Sequence, residues 1–451
     1  MATEVTQTLA TFAATLEDDQ IPRSAREHCK NLLLDALACA IAGDRGEETH
    51  QVAALAAGLA QSTEASIIGG NRLSLAGATL LNGYLITAVT MCDVHRPTLT
   101  HITPEVVPPA LAVAERDGAS GRDLLVALAA GCETATRVGI GWDFPTARIR
   151  GWHGPGIIGP FGAAAAVGRL LGFDADTMAR AFGLAGSQAA GTYAAWGTPT
   201  VKFHQCRGAL SGLMAALLAQ QKFVATREFL TAADGGLYTT YSNGGKPEAV
   251  VADLGKRWEL EQIALRLWPC ASGLQGMVTA MFDLVEEHRV GLDQVKKVRI
   301  SVPKTIYEMH GIFPRYQGKF EALLSTHYVV AAILADKALT LTQFEPARYE
   351  NARLRRFAAE QVDINFDTTL TGVQAAVEAD TTDGRTLAAR CEHAKGSPEN
   401  PLTRAQIEEK FRVYATGRLP AAHIDEVIGS VARLEELTST RRLMDLLRVM
   451  R

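Results

Sequence analysis

From its start to about residue 260 the chain repeats one pattern: apolar residues at three- and four-residue spacing, interrupted by Gly or Pro. That spacing belongs to helices with one buried face and leaves little room for strands. Arg23–Ala42, Leu73–Val89, Gly121–Val138, Pro160–Leu171 and Gly208–Gln221 each read as helices, the first ending near Gly43. The character changes near residue 262. Val295–Val302 alternates apolar and polar residues as a half-buried strand does, and Val362–Phe366 alternates again. Val373–Ala379 and Thr386–Cys391 flank Asp383-Gly384, a hairpin signal. Tyr328–Leu339 reads as a helix, and the chain is helical again from Thr403. The expected fold is mainly α. A large all-helical domain covers 1–262, a smaller α+β domain covers 263–402, and C-terminal helices over 403–451 return to the first domain. With no repeat and no low-complexity linker, the domains are expected to pack firmly around a cleft, where ligands often bind.

Composition excludes several function classes. The 451 residues are 47% apolar and carry a formal net charge of -4. A nucleic-acid binder would show a basic domain or stripe, so nucleic acid is not an expected partner. No run of 18 uncharged apolar residues occurs, so no membrane span is expected. The first seven residues lack the basic and apolar regions of a secretory signal, which points to the cytoplasm. Cys29, Cys39, Cys92, Cys132, Cys206, Cys270 and Cys391 form no C-x-x-C and read as reduced, mostly core thiols.

Three segments concentrate the chemistry. His153 stands at the mouth of the glycine-rich turn Gly151-Trp-His-Gly-Pro-Gly, which opens into an alanine-rich helix. Unpaired N–H groups at a helix start favour anions, and a histidine there can move protons near neutral pH. G-P-G-I-I-G also fits the dinucleotide pattern literally. However, no buried apolar strand precedes it and no acid ends a second strand. A tight loop that only lets two helices pack is the other alternative.

Asp93, His95, Arg96 and His101 lie within nine residues, and Pro97 keeps the start of that segment out of a helix. An acid–base and anion-binding loop, a metal site and a solvated polar loop all suit these residues, although the spacing matches no recognised zinc pattern. Lys202, His204 and Arg207 fall just before the helix expected at Gly208. Cations there oppose the helix dipole. A bound polycarboxylate would account for them, Arg supplying a fork and Lys a point charge. A solvated surface cluster is the alternative. Arg266 marks the domain change, and Tyr328 opens a helix. His28, His288, His310, His393 and His423 have no supporting neighbours and read as surface or satisfied core residues.

Together these segments resemble the MmgE/PrpD family over nearly the whole chain. Leu33–Gly43 is similar to the family's early helix, and Leu81-Asn-Gly83 leads toward its D-F-D-D-T loop. Gly151-Trp-His-Gly-Pro-Gly resembles its G-x-H-P-x-G, and His204-Gln-Cys-Arg207 its H-x-G-R. Trp268-Pro-Cys270 is similar to Y-P-C, and Gly396–Thr403 to G-x-P-x-N-P-L-T. The resemblance implies a helical domain with an α+β lid, usually in a homodimer. It also implies cofactor-free chemistry on small di- or tricarboxylates, as in 2-methylcitrate dehydratase, cis-aconitate decarboxylase and iminodisuccinate epimerase. His101 and His153 fall at the family's two histidines, Arg266 where a lysine is common, and Tyr328 at the lid-helix tyrosine. Differences stand beside these matches. Met91-Cys-Asp-Val-His95 replaces D-F-D-D-T, and Ile102 follows His101 in place of proline. Val201 takes a lysine position with Lys202 one place later, and Ala271 stands where decarboxylases carry a histidine.

The resemblance thus implies a cofactor-independent, 2-methylcitrate dehydratase-like lyase that removes a proton alpha to a carboxylate. Such a proton leaves only if cations and hydrogen-bond donors hold the enediolate-like charge. His153 and His101 are the expected proton-transfer pair, with Asp93 orienting one of them and Lys202 and Tyr328 completing the catalytic set. His204, Arg207, Arg266 and His95 are expected to bind carboxylates. No metal and no nucleotide is expected. Return of the proton to the opposite face would instead give an epimerase of an amino-dicarboxylate such as iminodisuccinate. Ala271 weighs against decarboxylation.

Overall fold

The computed structural model describes residues 5–311 and 316–449. The first four of the seven N-terminal residues considered above and the last two of the expected C-terminal helices lie outside the described residues. The chain divides into two compact units, Met1–Ala264 with Thr403–Arg451, and Leu265–Leu402.

The first unit is helical. Its main helices are α1 (Arg23–Gly43), α2 (Leu75–Ala88), α3 (Thr103–Asp117), α4 (Gly121–Trp142), α5 (Gly154–Leu170) and α6 (Thr200–Gln220). Small residues let these helices approach closely. A Cβ on Gly131 of α4 would lie 2.8 Å from the Gly162 carbonyl of α5. Helix α4 is long and apolar enough to cross a membrane, yet 94% of its apolar window is buried inside the protein. It is a core helix here, started by a capping box between Ser120 and Asp123. A short ribbon, β1 (Val94–His95) against β2 (Ile263–Ala264), closes the far end of the helical stretch.

Two helix starts differ from the sequence reading. Helix α5 begins at Gly154 rather than Pro160, with Pro155 in its first turn, where a missing N–H costs nothing. The G-P-G-I-I-G run is therefore the first turns of a helix and not a strand-to-helix phosphate loop. Helix α6 begins at Thr200, eight residues before Gly208, so Lys202, His204 and Arg207 stand on its first turns and not in a preceding loop.

The second unit holds a four-stranded sheet. Its strands are β3 (Val295–Val302), β4 (Val362–Phe366), β5 (Ala375–Thr381) and β6 (Thr386–Cys391), in the order β4-β3-β5-β6. Strands β3 and β4 run parallel, with Val298 opposite Val362. Such a pairing needs a long crossover, and the helices between the two strands supply it. Strands β5 and β6 form the hairpin around Asp383-Gly384, where Gly384 takes φ +90°. Helix α7 (Thr326–Asp336) lies in the same apolar core. After this unit, α8 (Arg404–Ala415) belongs with the helical unit, and the ammonium of Lys410 sits 2.6 Å from Asp35 of α1.

His310, one of the histidines without sequence neighbours, is a satisfied core residue at 1% exposure, its Nδ1 3.2 Å from the Leu324 carbonyl. Burial pushes it down to about 4. The unfolded chain therefore takes up this proton at higher pH than the fold does. Its stabilising contribution is complete above the ordinary value of 6.5 and is lost as pH falls toward 4. His310→Gln should flatten the acid-side fall in unfolding free energy by about 3 kcal/mol over that window, measured by urea melts at stepped pH. An unchanged pH slope would remove His310 as a source of acid sensitivity.

Candidate active site

The loop before α3 is a tight structure built on Asp93 and His95. His95 N–H donates to the Thr100 carbonyl at 2.8 Å, a 3-10 turn spans Arg96–Thr98, and Leu99 takes φ +48°. The Asp93 carboxylate accepts from the N–H groups of Ile102 and Thr103 at 2.8 and 3.0 Å, and from the Thr103 hydroxyl. It thereby caps α3, whose own N-cap residue Ile102 offers no side-chain acceptor. Burial pushes Asp93 up to about 6 against these hydrogen bonds. Asp93 orients His101 through its backbone rather than its carboxylate, because His101 Nδ1 lies 2.6 Å from the Asp93 carbonyl. A carbonyl can only accept, so Nδ1 carries the proton and Nε2 of the neutral ring is the basic atom.

The second histidine stands at the N-cap of α5. Residues 151–153 run beside 191–193: His153 N–H donates to the Gly191 carbonyl at 3.1 Å, and Tyr193 N–H to the Gly151 carbonyl at 2.8 Å. Gly191 takes φ +137°, and a Cβ there would sit 3.0 Å from His204 Nδ1. Glycine is what this crossing accepts. His153 Nδ1 and His204 Nδ1 are 3.0 Å apart. One ring must donate and the other accept, so the two nitrogens share one proton. Burial, then the charges of His204, His101 and Arg148, hold His153 well below the usual imidazole range. Burial, then Arg207, lowers His204. Of these neighbours Arg148 and Arg207 carry lasting positive charge, and the His153 ring itself stands at the start of a helix.

Four other candidates have different tasks. His95 is fully buried, with Nδ1 2.8 Å from the Thr98 hydroxyl and Nε2 3.2 Å from Glu259, so it holds the loop and the β1–β2 ribbon instead of binding substrate. Arg207 donates to the carbonyls of Gln188, Gly156 and Ala190 and to the Ser211 hydroxyl at 2.7–3.1 Å. The Gly156 carbonyl would have bonded residue 160 in a regular helix, and Pro160 has no N–H to offer. Arg207 is thus a structural clamp on α5 rather than a carboxylate ligand. Tyr328 is fully buried in the core of the second unit, and its hydroxyl donates to the Gln343 carbonyl. With its proton committed there and its ring against Phe344, it is a core residue rather than a catalytic one. Arg266, at 1% exposure, donates from Nη1 to the Cys270 carbonyl at 3.0 Å, which engages part of the fork expected to meet substrate.

Lys202 is buried and lies 3.4 Å from Glu48, which also accepts from the Tyr84 hydroxyl at 2.7 Å. The first unit therefore brings His101, His153 and His204 into one electrostatic neighbourhood. Three of its residues were not legible in the sequence. Tyr193 meets His153 edge-on at 5.2 Å, and Arg148 stacks 3.7 Å over the Tyr193 ring. The 151–153/191–193 crossing brings these residues together, and nothing in their spacing announces it. Glu105 is fully buried with neither carboxyl oxygen hydrogen-bonded, and burial, then Asp93, raises it well above the usual carboxylate range. Among the described residues no group of three or more His, Cys, Asp or Glu is arranged to hold a metal ion.

A helical unit that gathers imidazoles at a helix start, followed by a sheet-bearing unit, defines a class. The MmgE/PrpD N-terminal domain matches residues 7–250 and the MmgE/PrpD C-terminal domain matches residues 268–435, so the chain belongs to the MmgE/PrpD family. It is an enzyme of lyase or isomerase type that acts on small carboxylates. At the level of individual proteins, it is 30% identical to the cis-aconitate decarboxylase-like protein oryM of Aspergillus oryzae, over 98% of this chain and 97% of that one. It is 27% identical to a cis-aconitate decarboxylase of Aspergillus terreus, over 98% and 96% of the two chains. It is 25% identical to the cis-aconitate decarboxylase of Homo sapiens, over 99% and 95%.

Proposed function

We propose that this protein is a cofactor-independent lyase that transfers a proton at a carbon next to a carboxylate of a small di- or tricarboxylate. The observation that carries this reading is the Nδ1–Nδ1 contact of His153 and His204 at 3.0 Å, beside the charge of Arg148. His101 Nε2 takes the proton, since its Nδ1 is engaged by the Asp93 carbonyl. The His153–His204 pair, with the first N–H groups of α5, donates to the carboxylate oxygens as charge develops on them. The C–O bond to a beta hydroxyl then breaks, the leaving oxygen takes up the proton that His101 accepted, and release of water completes a dehydration of the 2-methylcitrate type. Decarboxylation of a cis-aconitate-like substrate is the second reading, favoured by relatives of that name aligned over nearly the full length.

The test is incubation with 2-methylcitrate, citrate and cis-aconitate in D2O, followed by NMR. Water loss, CO2 loss and deuterium exchange without net loss separate hydro-lyase, decarboxylase and epimerase. Activity should survive dialysis against a chelator. No turnover and no exchange on any di- or tricarboxylate would overturn the proposal. Activity lost on dialysis and restored by one divalent metal would overturn its cofactor-independent part.

A further inference from the structure

Small-carboxylate chemistry at these histidines needs a cation to anchor the substrate, and two of the expected ones, Arg207 and Lys202, are engaged elsewhere. Arg207 holds three carbonyls and a hydroxyl. Lys202 lies against Glu48. Arg150 reaches the Asn243 side chain and the Thr240 carbonyl at 3.1 and 2.9 Å. Arg148 differs from all of these. It sits on the six-residue helix Phe144–Ile149, and no carboxylate pairs with it among the described residues. Its guanidinium carbon lies over the Tyr193 ring, 3.7 Å from the centroid, and Tyr193 is edge-on to His153 at 5.2 Å. A guanidinium carries five N–H donors, so one held over a ring by cation–π attraction still has donors that a carboxylate can meet in a fork. Its charge bears on His153 directly.

We infer that Arg148, braced by Tyr193, binds a second carboxylate of the substrate and makes the site selective for di- and tricarboxylates over monocarboxylates. This rests on the reading of the histidine cluster as a carboxylate site. Arg148 holds the carboxylate remote from the reacting carbon, which fixes that carbon relative to the imidazoles. Tyr193 is a positioning residue that acts through Arg148.

Titration calorimetry with tricarballylate, an unreactive tricarboxylate, and with butyrate tests this without any turnover. The intact protein should bind tricarballylate more tightly than butyrate. Arg148→Ala and Arg148→Gln should each weaken tricarballylate binding roughly 10- to 100-fold, the range of a charge-assisted hydrogen-bonded pair, while butyrate affinity and the melting temperature stay unchanged. Tyr193→Phe should retain most of the affinity, because the stacking face survives, and Tyr193→Ala should lose part of it. Undiminished tricarballylate binding in both Arg148 variants would overturn the assignment and leave the carboxylate site standing. Absence of binding by the intact protein to either probe would overturn both. Equal loss for both probes would make Arg148 a structural support and overturn its role in selectivity.

Discussion

Lys410→Met is expected to destabilise the helical unit by about 3–5 kcal/mol, the largest stability effect of any single substitution considered. Lys410 and Asp35 are 1% and 0% exposed at their side chains and lie 2.6 Å apart, and the ammonium also reaches the Met91 carbonyl at 3.2 Å. Burial is the largest influence and would lower the lysine, yet the charge and hydrogen bond of Asp35, with Cys39 and Tyr414, together outweigh it and hold the ammonium above its usual range. Methionine fills much of the space but leaves Asp35 as an uncompensated buried charge. The double variant Asp35→Leu, Lys410→Met removes both charges and should recover most of the loss, since a buried pair replaced by apolar groups of similar volume is often neutral. Urea melts followed by far-UV circular dichroism measure both. A loss below about 1 kcal/mol in the single variant would show that this pair does not anchor α8 to α1.

The largest kinetic effect is expected at the histidines. His101→Gln should lower kcat by roughly 10²-fold or more, because glutamine cannot take a proton from carbon at the position of Nε2. His153→Gln should fall by a similar factor, since it breaks the one-proton pair with His204. The double variant should be little worse than the worse single one, because the groups serve one reaction and their effects do not add. Melting temperatures of the variants separate catalysis from folding. Near-normal kcat in His101→Gln would remove it as the base and would pass that role to the His153–His204 pair.

Much of the architecture was legible because helix and strand periods are local. The apolar spacing of Arg23–Ala42 and Gly121–Val138 located α1 and α4, and the alternation of Val295–Val302 located β3. The turn chemistry of Asp383-Gly384 located the β5–β6 hairpin. The errors at the starts of α5 and α6 have one cause. Gly and Pro in the first case, and a cluster of cations in the second, are read locally as loop, while both sit in first turns that tertiary partners support.

Residue chemistry followed the same division. The sequence by itself determined that imidazoles, cations and a helix start would occur in this chain, and it carried the family likeness that the domain matches bear out. Only the tertiary structure decided which of those groups keep donors and lone pairs for a ligand. His95 lost its ring nitrogens to Thr98 and Glu259, Arg207 its fork to three carbonyls and a hydroxyl, and Tyr328 its proton to Gln343. His153 gained His204 and Arg148 gained Tyr193 from segments some 50 residues away. A side chain's type fixes how many hydrogen bonds it can make. Which partners occupy them depends on which backbones cross nearby, and that is a long-range property set by packing.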